Sequence, residues 1–176
     1  MNVREFRLYP REEHFCSFAD YGAILDTVRR LDAKRVLEFG PGHSTLALVE
    51  GGAHWIDCAE DDQAWATVWE NRIVRRFPNI VRIRQYTWRE PLRILGVDTE
   101  QYDLGLIDGP HQTPRRPVAI RYAMARCRRV LVPLEETDGV GILRQYVETF
   151  AAQAGRPLHI TETGPLAGSF ALIGSP

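Results

Sequence analysis

Glu38, Gly40, Gly42 and Glu60 are the residues whose types and spacing speak most directly of chemistry. The stretch Val36-Leu-Glu-Phe-Gly-Pro-Gly-His-Ser-Thr-Leu46 is a short apolar run that ends in Gly40-Pro41-Gly42. It resumes through Ser44 and Thr45 as a helical pattern. Glycines at such a place let the backbone turn sharply and let a ligand come close. N–H groups exposed at the start of a helix attract an anionic group. Twenty residues past Gly40 stands Glu60, at the tip of a second apolar run and followed by Asp61. A carboxylate there accepts hydrogen bonds from both hydroxyls of a ribose. A glycine turn with a distal carboxylate describes a nucleoside-cofactor site. A plain strand-to-helix turn beside a solvated Glu60 is the other reading.

The kind of cofactor follows from what the loop lacks. A pyrophosphate usually rests on a GxGxxG loop. Here Thr45 stands in place of the third glycine, and Glu38 lies two residues before the first. A carboxylate in the loop repels a pyrophosphate and suits a cationic amine or sulfonium.

A second group of candidates follows the fourth and fifth apolar runs: Asp108 and His111 in Asp-Gly-Pro-His, then Glu135, Glu136 and Asp138. Open α/β sheets bind ligands at the carboxyl ends of their strands. Asp108 and His111 would place an acid and a base within one turn. The plainer readings are a loop cap for Asp108, a surface residue for His111 and a solvated acidic loop for Glu135 to Asp138.

These residues need strands that end together, and the periodicity supplies them. Helical stripes are expected over Phe18–Leu31, Ser44–Glu50, about Trp65–Ile73, from Pro114 to about Arg126, and near Gly141–Ala154. Strands are expected at Arg35–Phe39, His54–Ala59, Ile80–Tyr86, Tyr102–Ile107, Arg129–Leu134, Leu158–Thr163 and Ser169–Gly174. Strand and helix alternate through most of the chain, the pattern of a doubly wound, Rossmann-like, mostly parallel sheet with helices on both faces. The last two strands have no helix between them and should form an antiparallel hairpin at the edge, the last strand lying beside the sixth. Trp65 and Trp69 fall on a helical stripe and read as packing. Trp88, after the third strand, would border a base or the core.

The chain has 176 residues, 44% hydrophobic and 26% charged, which suits one domain, residues 1–176, with an irregular arm at 1–17. A net charge of −1 lacks the basic excess of a nucleic-acid binder, so no such partner is expected. Cys16, Cys58 and Cys127 form no CxxC pair, so neither a disulfide framework nor a zinc site is expected. Reduced thiols and a charged N-terminus without a signal-peptide core imply a cytoplasmic protein. No apolar run is long enough for a membrane span.

Glu38-Phe-Gly-Pro-Gly-His-Ser-Thr45 resembles the first motif of the class I S-adenosylmethionine-dependent methyltransferases, in the variant where Ser-Thr follows the glycines. Ala59-Glu60-Asp-Asp62 is similar to their acidic second-strand end, and Tyr102-Asp-Leu-Gly-Leu-Ile-Asp108-Gly109 to their fourth strand. The resemblance covers about residues 18–174, and it implies a seven-stranded sheet and methyl transfer, to oxygen of a small molecule in our reading. It implies that Glu38, Gly40, Pro41 and Gly42 face the methionine part, with Ser44 and Thr45 at its carboxylate. Glu60, with Asp61, would hold the ribose. Gln85, Tyr86 and Thr87 would lie by the adenine, and Asp108 and Gly109 by the sulfonium. Likeness to the catechol type implies that Asp108, Glu135 and Glu136 could hold Mg2+, since oxygen ligands suit a hard cation. That type usually carries Asp-Asn where this chain has Glu135-Glu136. Two other functions compete: an NAD(P)-dependent Rossmann oxidoreductase, and a cofactor-binding interaction domain without catalysis. So short a chain leaves little for a substrate lid, and a homodimer partner would supply the missing wall.

Overall fold

The computed structural model describes residues 18–87, 93–94, 101–109, 115–134, 141–162 and 169–175. The arm at 1–17, Trp88, His111, Pro114, Glu135, Glu136, Asp138 and the expected turn at 164–168 lie outside them.

The chain opens with α1 (Phe18–Leu31), whose Ile24 and Val28 are buried and whose last turn carries Arg29 and Arg30. Cations there complement the negative end of the helix dipole. The strand β1 (Arg35–Phe39) is buried from its second residue on, as expected of a central parallel strand. It leads through the glycine turn into α2 (His43–Gly51). Then come β2 (Trp55–Glu60) and α3 (Gln63–Trp69), which continues as a wider π turn over Glu70–Val74. Asp62 caps α3 by accepting from the N–H groups of Ala64 at 2.8 Å and Trp65 at 3.0 Å. Next are β3 (Val81–Thr87), a two-residue β4 (Arg93–Ile94) and β5 (Tyr102–Ile107). The chain closes with α4 (Arg116–Arg126), β6 (Cys127–Leu134), α5 (Ile142–Gln153), β7 (Leu158–Glu162) and β8 (Ser169–Ile173).

The sheet runs β4-β3-β2-β1-β5-β6-β8-β7. The pairs β3·β2, β2·β1, β1·β5 and β5·β6 are parallel. The final strand β8 inserts between β6 and β7 and is antiparallel to both, which is the expected hairpin. The sequence reading has seven strands and misses β4, which pairs antiparallel with the end of β3 through Tyr86↔Ile94 and Thr87↔Arg93. Two residues are too few to show a period.

Two apolar layers cover the sheet. One packs Ile24 and Val28 of α1, Leu46 and Leu48 of α2 and Trp69 of α3 against Val36, Ile56, Leu104 and Leu106. The other packs Ala119, Ile120 and Ala123 of α4 and Leu143, Val147 and Phe150 of α5 against Leu37, Phe39, Ile107, Val130 and Val132. Parallel pairing from β3 to β6 carries the ends of β1, β2, β3 and β5 to one rim, so Gly40, Glu60, Gln85 and Asp108 follow one another along it.

Candidate active site

The rim is built on a backbone contact. Gly40 has φ +84°, a conformation that favours glycine. A Cβ on Gly40 would lie 2.9 Å from the nitrogen of Gly109, so the tips of β1 and β5 touch through two residues without side chains. The Gly40 N–H donates to the Ala59 carbonyl at 3.0 Å. The N–H groups of Asp108 and Gly109 donate to the Phe39 carbonyl at 3.1 and 2.6 Å. The first turn of α2 is closed by Thr45, whose hydroxyl oxygen accepts from the Gly42 N–H at 3.0 Å. A Cβ on Gly42 would meet only the Ser44 Oγ, at 3.8 Å, so the loop leaves room beside its second glycine.

Glu38 is fully buried under this loop. Its Oε1 accepts from the Ser44 hydroxyl at 2.6 Å. Its Oε2 accepts from the Thr45 hydroxyl at 2.7 Å and from the Cys58 thiol at 3.1 Å. Burial pushes the carboxyl up to about 7, against the three hydrogen bonds, and the nearby Asp108 charge adds to the rise. Burial and the Glu38 charge likewise push the Cys58 thiol well up.

Glu60 ends β2 in a nearly buried position. Its Oε1 accepts from the Asp62 N–H at 2.7 Å, which ties the carboxylate to the start of α3. Burial raises its carboxyl to about 7, with the Asp61 and Asp62 charges adding and backbone hydrogen bonds opposing. Asp61 pairs with Arg115, Oδ2 to Nη1 at 3.0 Å, from the residue just before α4. Trp65 donates its indole N–H to the Pro41 carbonyl at 2.8 Å, so α3 also braces the glycine turn. At the first residue of α3, Gln63 is hydrogen-bonded to Gln85 near the end of β3. Tyr86 stands edge-on to Phe39, centroids 5.8 Å apart, and burial pushes its phenol far up.

Asp108 follows β5, half-buried. Its carbonyl accepts from Arg116 Nη2 at 3.1 Å, and the Arg116 side chain is wholly buried.

The structure thus brings Glu38, Gly40, Pro41, Gly42, Ser44, Thr45, Glu60, Asp61, Gln85, Tyr86, Asp108 and Gly109 to one rim. Thr87 belongs there by its backbone. His111, Glu135 and Glu136 lie outside the described residues, so one of the three carboxylates expected at a magnesium ion, Asp108, has a described position. Among the described residues no group of three or more His, Cys, Asp or Glu could hold a metal. Four residues of the rim escape sequence reasoning: Cys58, Trp65, Arg115 and Arg116. Trp65 is read as packing, and it does pack; its N–H bond to the loop has no sequence signal. Cys58 reaches Glu38 through the parallel register Glu38↔Cys58, which no local pattern discloses.

This sheet order, with its glycine turn after β1 and reversed last strand, is the fold of the class I methyltransferases. No family model matches the chain, and no curated protein sequence does. Solved structures do. An O-methyltransferase from Bacillus cereus in complex with S-adenosylhomocysteine superposes with TM-score 0.70 at 16% identity, over 98% of this chain and 88% of that one. A proposed O-methyltransferase from Klebsiella pneumoniae gives 0.75 at 23%, over 93% and 82%. The O-methyltransferase TomG from Streptomyces achromogenes, in complex with S-adenosylmethionine, gives 0.67 at 19%, over 98% and 86%. At such identities the likeness is one of fold.

Proposed function

We propose that the chain is an S-adenosylmethionine-dependent methyltransferase that acts on an oxygen of a small molecule. The observation that carries this reading is the buried, backbone-anchored Glu60 on the same rim as the Gly40–Thr45 turn, in a fold whose solved examples include cofactor-bound O-methyltransferases. The residues fit the cofactor: Gly42 leaves room for it, and a carboxylate at the β2 tip suits a ribose diol. When bound, the cofactor supplies a sulfonium-borne methyl group that is transferred as the carbon–sulfur bond breaks and its electron pair stays on sulfur.

In this reading Gly40, Pro41, Gly42, Ser44 and Thr45 wrap the methionine part. Glu60 takes the ribose hydroxyls beside Asp61. Gln85, Tyr86 and Thr87 flank the adenine. Asp108 and Gly109 border the reacting centre, where donor and acceptor are aligned. A neutral His111 takes the acceptor's hydroxyl proton near pH 7, and Asp108 orients it.

The test is calorimetry with S-adenosylhomocysteine, run beside NADH. The wild type should bind the former and not the latter. Glu60→Ala removes two hydrogen bonds to a charged acceptor, each worth roughly 1.5–3 kcal/mol, and should weaken binding at least ~100-fold. Binding of NADH alone, or unchanged affinity in Glu60→Ala, overturns the reading.

A further inference from the structure

Glu38 is expected from the motif to face the cofactor, and its geometry describes a different task. The carboxylate is wholly buried, with partners on α2 and on β2. Each of its oxygens is taken: Oε1 by the Ser44 hydroxyl, Oε2 by the Thr45 hydroxyl and the Cys58 thiol. All three donors are themselves buried. Thr45 passes the connection on, because the oxygen that donates to Glu38 also accepts from the Gly42 N–H at 3.0 Å. A chain of hydrogen bonds therefore runs from β2 through Glu38 to the second glycine of the turn. Such linked bonds polarise one another and rigidify what they join.

We propose that Glu38 is a positioning residue: it fixes the glycine turn through the Ser44 and Thr45 hydroxyls, with the Cys58 thiol as a third support, and does not touch the ligand the turn holds. The proposal rests on the reading of that turn as the cofactor loop. The side chain acts on the ligand only as far as the loop amides are held in place before binding, which spares the cost of ordering them on binding.

The experiment is a double-mutant cycle of Glu38→Gln against Thr45→Val, read by calorimetry with S-adenosylhomocysteine at pH 8. Both substitutions keep the volume nearly constant. Each alone should weaken binding about tenfold. The double variant should be no more than about threefold worse than the weaker of the two, since both cut one chain of bonds. Thr45→Ser, which restores the hydroxyl, should recover the loss of Thr45→Val to within about threefold, a recovery that packing alone would not produce. Independent effects that multiply to about a hundredfold, or no recovery by Thr45→Ser, overturn the proposal.

Cys58→Ala and Cys58→Ser keep the test alive if Glu38→Gln does not fold. The serine should match the wild type and the alanine should lose about threefold. Equal affinities in these two variants count against the network. If the wild type binds no S-adenosylhomocysteine, the functional reading falls by itself. The positioning role is then read from thermal unfolding of the unliganded variants, where the same failure of additivity is expected and strict additivity overturns it.

Discussion

The strands β1, β2 and β5 are held differently at their two ends. At the opening end, carboxylates meet cations and strong donors. Asp103 accepts from the N–H groups of Lys34 and Arg35, both at 3.0 Å. Asp57, almost wholly buried, accepts from Trp55 Nε1 at 2.6 Å, the Tyr102 hydroxyl at 2.9 Å and Arg84 Nε at 3.3 Å. Arg82 stacks over Trp55 at 3.4 Å from the ring centre. At the closing end, Glu38 is met by hydroxyls and a thiol, and Glu60 by backbone N–H. Burial raises both of these carboxyls to about 7. One end spends its polar groups on the fold; the other keeps carboxylates in surroundings that oppose their charge. Functional rims are where such cost is tolerated.

The largest effect that can break this comparison is Asp57→Ala. It leaves the Tyr102 hydroxyl, the Trp55 N–H and the Arg84 guanidinium without their shared acceptor. Stripping one partner from such a cluster costs about 3–5 kcal/mol of stability. Chemical denaturation should show that loss, and calorimetry on the folded variant should show S-adenosylhomocysteine affinity within about twofold of the wild type. Glu60→Ala should do the reverse, leaving stability nearly intact. If Asp57→Ala loosened the ligand as much as Glu60→Ala does, the two ends would not be divided in this way.

A smaller effect is the dependence of stability on pH. The carboxyl of Glu38 titrates at about 7 in the folded chain, against 4.5 for an ordinary glutamate. It therefore favours the fold while protonated. That contribution is complete below about pH 4.5 and is lost as pH rises through about 7. At about 1.4 kcal/mol per pH unit, it is worth up to about 3 kcal/mol for this group. Glu60 acts in the same sense. The unliganded protein should melt at a lower temperature at pH 8 than at pH 5. Glu38→Gln, which stays neutral, should remove most of this group's share of the difference between pH 5 and pH 8, whatever its absolute stability. A variant that gains stability while binding S-adenosylhomocysteine less well would place Glu38 among residues kept for function at the expense of the fold. A flat wild-type profile between pH 5 and pH 8 would count against the charge strain assigned to this end.

The sequence discloses the two ends unequally. Gly40 and Gly42 are legible because a turn between strand and helix leaves few other choices, and Glu60 because it falls where a second strand must end. The reversed β8 is legible from the missing helix before it. What holds these residues is not legible. The hydrogen bonds around Glu38 depend on the register of β1 on β2, which sets Cys58 beside it. Arg116, between two prolines, gives no local sign of its place, yet its side chain is buried and donates to the Asp108 carbonyl. The cluster around Asp57 draws on β2, β3 and β5, three strands far apart in sequence. Local period places elements, whereas register and tertiary approach decide which side chains meet.

The smallest effect concerns the ion pair that, among the described residues, crosses the rim. Arg115 reaches Asp61 at 3.0 Å, joining the start of α4 to the tip of β2 across 54 positions of sequence. The side chains are 40% and 22% exposed, so water and salt screen the attraction. Pairs of this kind contribute about 0.2–1 kcal/mol. Arg115→Ala should therefore lower the melting temperature by no more than about 4 °C, and the difference from the wild type should shrink in about 1 M salt. The pair also sets a cation beside the Glu60–Asp61 acids, and its removal leaves their repulsion less balanced. S-adenosylhomocysteine affinity near pH 7 should fall, though by less than about threefold, because Glu60 keeps its backbone anchor on Asp62. A stability loss above about 2 kcal/mol, unaffected by salt, would show Arg115 to act at the rim as Arg84 acts on Asp57. The closing end would then rest on a cation as the opening end does, and the contrast between them would fail.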